Sequence, residues 1–582
     1  MHMIVAAIDF GTTYSGWAFS FRAEYERDPR KAEVKHWHSG IGTLVTVKTP
    51  TCLLVKPDGI TFQAFGYDAE NQYLELADKD EHKNYYYFRR FKMLLFGALG
   101  KHLTKETTVM DEMGKELFAV DVFAMSIKFM VDDMMAVVNQ RLTGIIMETD
   151  IHWVLTVPAI WSDLAKQFMR QAAIKAGIAT ERLTIVLEPE AASLYCRHIP
   201  VDTTVTDGNL TISELPTGSK YMVLDAGGGT IDITVHEVQS QYTLREVRAA
   251  NGGDWGGTMV DKAFENFIID LVGETVFDTF KHSETIDWLH LAREFELKKQ
   301  AAGTQSEGNV IMHFPVSLID LFETEKERKI TIKDAIVVSK YDKTVELKRD
   351  KLKISHSTIE NLFEHSIQQI VEHVQKLMTD ERMACIKAIL MVGGYSESPL
   401  LQRAIKSAFP GIHEVIPQEA SSAVLRGALI FGHNPMTITE RVLKYTYGVD
   451  ISLPFVDRIY PESKRVKTDE GDRCKDIFHK LIKNESSVTP GETQVKRCYY
   501  TVHKKQARIS FDIVISKEKT PTYVDEKGCT KIGTIQIKFE EPDDLPGRKV
   551  NLTMLLGGTE IIVELEDEKT GNKVINTAEF WG

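Results

Sequence analysis

The chain has 582 residues, too many for one hydrophobic core, so two or more domains are expected. Apolar residues make up 43% and charged residues 26%, an ordinary balance for a soluble globular protein. The net charge of −13 argues against general nucleic-acid binding and against an anionic membrane surface, since both demand a positive face.

The opening run Ile4-Val5-Ala6-Ala7-Ile8 has no positive leader and runs into Asp9, so it reads as a core strand and not a signal peptide. No apolar run reaches membrane-spanning length. After Asp9 come Phe10, Gly11, Thr12, Thr13 and Tyr14, then Gly16-Trp17-Ala18-Phe19. The order is buried strand, carboxylate, tight turn, second strand. The same order returns about two hundred residues later. There Tyr221-Met222-Val223-Leu224 leads to Asp225, then Gly227, Gly228, Gly229, Thr230, Ile231 and Asp232, then Ile233-Thr234-Val235. Glycines let backbone approach a ligand closely, and successive N–H groups in a turn form an anion-binding nest. Hydroxyls of Thr12, Thr13 and Thr230 add donors, and an Asp at each strand end holds a hydrated Mg²⁺ through its waters. Two such turns facing each other would clamp the phosphates of one nucleotide; either copy alone also reads as a plain hairpin, with Asp9 or Asp225 as a turn-capping residue. Neither copy has the dinucleotide or the GxxxxGK[ST] pattern.

Between and beyond these motifs, residues 123–140 carry apolar side chains at helical spacing and read as a packed helix. The stretch 202–220, rich in Thr, Asp and Gly, reads as a surface loop or hairpin. Residues 258–280 and 286–302 read as helices of an upper lobe, and 355–378 as another long helix. Residues 436–445, with Glu440, Arg441 and Lys444, read as an inter-domain connection. After 446, period-two alternation with Gly, Asp and Pro turns predicts a β-sandwich. The six cysteines have no metal-like spacing and read as reduced thiols of a cytosolic protein. The sequons at Asn209, Asn484 and Asn551 are then chance matches.

Five motifs in this order resemble the actin, hexokinase and heat-shock-70 superfamily, and most closely its family-twelve heat-shock-70 branch. Besides the two turns, Leu155-Thr156-Val157-Pro158-Ala159-Ile160-Trp161 resembles the first connecting segment. Leu187-Glu188-Pro189-Glu190 carries the family's active-site glutamate. Met391-Val392-Gly393-Gly394-Tyr395-Ser396 resembles the adenosine motif, and Ala423-Val424-Leu425-Arg426-Gly427 the second connecting helix. The fold implied is α/β. A two-lobed actin-like ATPase domain with a central nucleotide cleft fills 1–435, a connection spans 436–445, and a β-sandwich without a helical lid fills 446–582.

The resemblance implies ATP or ADP with Mg²⁺. Asp9 and Asp225 match the metal-water ligands. Lys92, Glu188 and Asp225 match the catalytic groups, with a solvated surface lysine and a solvated strand-end carboxylate as the plainer readings of Lys92 and Glu188. Gly11, Thr12, Thr13, Tyr14, Gly227, Gly228, Gly229, Thr230, Gly256 and Gly257 match the phosphate turns and their surroundings. Glu296, Lys299, Gln300, Gly393, Gly394 and Tyr395 match the adenosine side. Gln300 and Glu397 stand where the chaperones carry adenine-stacking arginines, which removes about 1 kcal/mol of cation–π contact at each. The acidic leucine-rich linker is replaced by Thr439-Glu440-Arg441-Val442-Leu443-Lys444, and the peptide-clasping loop by residues 450–455.

The function implied is a chaperone-like nucleotide switch with weak Mg-dependent ATPase activity. A nucleotide-gated scaffold without hydrolysis and a metabolite kinase on the same fold are the alternatives. Partners are nucleotide and client or signalling proteins reached through the β-domain; the location expected is the cytoplasm, with the nucleus as an alternative. Few contacts are expected between the connection and the nucleotide domain, so coupling to the β-domain is expected to be weak.

Overall fold

In the computed structural model the described residues are 2–39, 45–99, 103–141, 146–199, 204–206, 212–304, 308–468 and 471–576. One strand grammar is used twice. In the first large sheet, Ile4–Phe10 pairs antiparallel with Tyr14–Phe21 and parallel with Ile151–Val157, which pairs parallel with Leu183–Leu187. In the second, Lys220–Ala226 pairs antiparallel with Ile231–Val238 and parallel with Ile386–Val392. Apart from Lys220 at one end and the Asp near the other, both central strands are apolar and buried, as strands covered on both faces must be. Each carries its Asp one residue before its end, at the mouth of a glycine turn.

Two short helices, Glu188–Cys196 and Ala423–His433, lie in one apolar cluster with side chains of both sheets, including Val5, Val154, Tyr221 and Val223. Their approach is close: a Cβ on Gly427 would lie 1.7 Å from the Ala191 carbonyl oxygen. Pro189 suits the first turn of its helix, and Glu188 and Glu190 there favour the positive end of the helix dipole.

The expected helix over 123–140 is Ala119–Arg141, burying Phe123, Ile127, Met130, Met134 and Val138. The segment 258–280 forms two helices, Thr258–Val272 and Glu274–Ser283, because Gly273 takes φ +89° between them. Thr285–Gln300 and His356–Met378 are further helices of the second lobe. Within 202–220, the described part includes the strand Thr204–Thr206, paired with His413–Pro417. Asn209 lies outside the described residues. Among the described residues no helix is long and apolar enough to cross a membrane, and all six cysteines are free thiols.

The C-terminal part is two facing sheets. Five strands run in the order Arg465–Thr468, Gly471–Ile482, Thr446–Pro454, Arg508–Ser516, Cys529–Lys538. Four more run Thr493–Tyr500, Lys549–Leu555, Ile562–Asp567, Lys573–Asn576. Their inward residues, among them Val449, Ile513, Ile537, Leu552 and Leu565, share one core. Residues 450–454 are not a loop: they continue the strand Thr446–Pro454, paired as far as Pro454 opposite Arg473.

The connection differs most from expectation. Ile438–Val442 is a strand of the second large sheet, parallel to Leu244–Gly253 on one side. On its other side Arg441 and Val442 pair antiparallel with Val488 and Ser487. Buried polar residues join apolar ones such as Leu443 and Tyr445 at this junction. The Arg441 guanidinium donates to both Glu190 carboxylate oxygens at 2.6 Å and to the Gly557 carbonyl. The Val442 N–H donates to Glu246 at 2.8 Å, and Lys444 to the Ile160 carbonyl at 3.0 Å. Tyr447 and Asp163, Thr559 and Ile185, and Arg170 and Glu560 add further bonds across the junction.

This burial predicts a pH dependence. Burial, then repulsion from Glu190, pushes the Glu246 carboxyl from 4.5 up to about 8. Between those values the folded chain keeps a proton that the unfolded chain has lost. The contribution to stability is therefore full below about 4.5 and falls as pH rises to about 8. Glu246→Gln keeps the acceptor for Val442 and removes the titration. The variant's melting temperature is expected to fall less than the parent's between pH 5 and 8 and to exceed it at pH 8; parallel melting curves would refute this assignment.

Candidate functional site

The two glycine turns meet across the cleft. A Cβ on Gly228 would lie 2.2 Å from Thr13 Oγ1, and one on Gly229 would lie 2.6 Å from Thr12 Oγ1. Gly11 is required within its own turn, where a Cβ would lie 2.1 Å from the Tyr14 carbonyl oxygen. Thr51 braces this turn: its hydroxyl donates to the Gly11 carbonyl and its N–H to the Thr13 carbonyl, both at 2.8 Å. In the second turn the Gly227 N–H donates to the Thr230 carbonyl at 3.0 Å.

Gly256 and Gly257 support the second turn from behind. The Gly257 and Thr258 N–H groups donate to the Gly227 and Gly228 carbonyls at 3.2 and 2.8 Å. A Cβ on Gly256 would lie 2.5 Å from the Gly228 oxygen. Gly393, with φ +84°, closes the other flank; a Cβ there would lie 2.4 Å from Asp225 Oδ1. Gly394 has open space beside it.

Carboxylates and lysines line the floor. Asp9, Asp225 and Asp232 are buried, and Glu188 nearly so. Thr156 donates to one Asp9 oxygen at 3.0 Å, while Lys48 Nζ lies 2.6 Å from the other. Asp232 accepts the Ile160 N–H at 2.8 Å. Lys92, 2% exposed, pairs with Glu188 at 2.9 Å and stands 4.9 Å from the centre of the Trp161 ring. Burial raises the Glu188 carboxyl; Lys92 opposes the rise, and Asp9 and Asp232 add to it. Burial, then Glu188, Asp232 and Asp9, holds the Asp225 carboxyl well above the usual carboxylate range. Among the described residues no three His, Cys, Asp or Glu side chains form a metal-holding group. The raised carboxyls mark an excess of buried negative charge on this floor, which a bound cation would offset.

The residues expected on the adenosine side sit on the second lobe. Lys299 bridges Asp261 and Glu296, each at 2.6 Å, and Arg90 shares Asp261. Gln300 is exposed and donates to Glu296 at 3.1 Å. Glu397 accepts the Ser421 N–H at 3.3 Å. Tyr395 is buried, its hydroxyl 3.0 Å from Ser366 Oγ, and burial pushes its pKa up to about 12. Tyr14, from the first turn, lies within the field of Glu296, which raises its pKa after burial does.

Sequence reasoning missed Lys48 altogether and gave Asp232 and Thr156 no role. Asp232 was visible two residues past the Gly-Gly-Gly-Thr run. Lys48 carries no local signal.

Two lobes on duplicated sheets, with paired glycine hairpins at the cleft, form an actin-like ATPase domain, and a C-terminal sheet domain follows. The family described as Hsp70 protein matches residues 89–439. The chain is 31% identical to heat shock 70 kDa protein 12B of Homo sapiens, over 99% of this chain and 91% of that protein. It is 32% identical to heat shock 70 kDa protein 12A of Homo sapiens, over 98% and 90%. Chaperone protein DnaK of Endomicrobium trichonymphae is 26% identical over 44% of this chain and 35% of its own length. The chain belongs to the Hsp70 family, in the family-twelve branch.

Proposed function

We propose that the cleft binds ATP and ADP with Mg²⁺, and that the protein is a nucleotide-dependent conformational switch with weak ATPase activity. The observation that carries this reading is the facing pair of turns, Gly228 against Thr13 and Gly229 against Thr12. Their backbone N–H groups hold the phosphates, and Lys92 adds a point charge. Bound Mg²⁺ supplies neutralisation of phosphate charge through its waters. Glu188, held by Lys92, orients water near the terminal phosphate, so that positioning and electrostatics supply what catalysis there is. Proteins bind through the β-sandwich, and lobe closure changes its setting. A scaffold that binds nucleotide without hydrolysis is the second reading. It is favoured by the ion pairs that already engage Asp9 and Glu188, the carboxylates needed to orient water.

Calorimetric titration with ATP and ADP tests the shared claim. Absence of binding by both nucleotides would end it. Gln300 and Glu397 stand where stacking arginines are expected, and they bond to Glu296 and the Ser421 N–H. Competition among ATP, GTP and UTP is therefore expected to separate them by less than about tenfold, or 1.4 kcal/mol. A preference for ATP of a hundredfold would contradict this and point to Tyr14 or Lys299 as the base-reading groups.

A further inference from the structure

Lys48 is set into the cleft by packing that nothing in the phosphate turns requires. Asp9 lies opposite Gly16 in the first hairpin. The segment before Thr49–Pro50 crosses Gly16 so closely that a Cβ there would lie 2.9 Å from the Val47 oxygen and 3.2 Å from Lys48 Cγ. The bare glycine thus leaves room for the lysine stem to lie across it. Thr49 and Pro50 then pair with Ser15 and Tyr14, which holds the segment in register. The ammonium reaches Asp9 Oδ2 at 2.6 Å, and its side chain is 17% exposed.

The other Asp9 oxygen is taken by Thr156, so both are engaged. Four carboxylates, Asp9, Glu188, Asp225 and Asp232, face two ammonium groups, Lys48 and Lys92. Lys48 engages Asp9, one of the two carboxylates matched to metal-water ligands, beside the turn that meets Gly228. A lysine there repels a divalent cation and attracts phosphate oxygens as a fixed point charge.

Building on the nucleotide reading above, we propose that Lys48 is a built-in counter-ion that lets ADP bind this cleft without a divalent metal. The experiment is calorimetric titration of the full chain with ADP, in Mg²⁺ and in excess EDTA, for the parent, Lys48→Met and Lys48→Arg. The parent is expected to lose less than tenfold in affinity in EDTA. Lys48→Met, which keeps the stem and removes the charge, is expected to lose at least a hundredfold in EDTA and to recover in Mg²⁺; Lys48→Arg is expected to follow the parent. Melting curves in both buffers confirm that the variants are folded. A parent that loses a hundredfold in EDTA overturns the role of Lys48 while leaving nucleotide binding intact. A Lys48→Met variant that binds in EDTA as the parent does overturns it equally. No ADP binding by the parent in either buffer instead overturns the nucleotide reading on which the role rests.

Discussion

Gly228→Val is expected to weaken ATP binding at least about 100-fold, or about 2.7 kcal/mol, without unfolding the chain. A Cβ at this position would lie 2.2 Å from Thr13 Oγ1, 2.6 Å from Cγ2 and 3.0 Å from Cβ. Valine adds two more methyl groups at the same point. Neither turn retreats cheaply. Thr51 holds the first through the Gly11 and Thr13 carbonyls, and the amides of Gly257 and Thr258 hold the second. The turns must part, and donors aimed at one set of phosphate oxygens then miss it. The cores beneath each hairpin are untouched, so circular dichroism and cooperative melting are expected to persist. The measurement is nucleotide affinity of the folded variant; full affinity would mean that phosphate is not held between these turns.

Arg441→Met is expected to cost about 3–5 kcal/mol, the usual result of leaving a buried carboxylate without its partner. Glu190 is 1% exposed and loses both of its charged hydrogen bonds. Glu246, already pushed towards its neutral form, loses the same counter-charge. The Gly557 carbonyl loses a donor from across the junction. The bridging strand Ile438–Val442 is therefore expected to become cleavable under limited proteolysis that spares the parent. Glu190→Leu combined with Arg441→Met is expected to recover part of the loss, since no unpaired Glu190 charge then remains. Urea unfolding of Arg441→Met, Glu190→Leu and the double variant beside the parent gives the cycle. Equal stability of Arg441→Met and the parent would show that the junction is solvated, contrary to the burial described.

The link matters for function because Glu190 lies two residues past Glu188 on one short helix. Glu188 faces Lys92 at the floor of the cleft, and Glu190 faces the β-sandwich side through Arg441. The expectation of few contacts at 436–445 rested on the missing leucines. A guanidinium paired with a buried carboxylate ties the same place by different chemistry.

What the sequence by itself determined is what short-range patterns encode. An apolar run, an Asp and a glycine turn, twice over, specify two hairpins whose strands are buried on both faces. Apolar spacing specified the helices Ala119–Arg141 and His356–Met378, and period-two alternation specified the C-terminal sheets. These patterns are legible because a helix or strand repeats its buried face every few residues. The tertiary structure alone decided which side chains meet. Lys48 and Asp9 are brought together by a crossing over Gly16, and Lys92 and Glu188 by a 3-10 helix, Phe91–Leu99, and the start of the helix Glu188–Cys196, 96 residues apart. Arg441 and Glu190 lie 251 residues apart. Gly256 and Gly393 look like ordinary loop glycines until the carbonyl of Gly228 and the carboxylate of Asp225 are seen pressed against them. An ion pair or a steric gap between distant segments leaves no periodic trace, because its energy depends on separation in space and not along the chain.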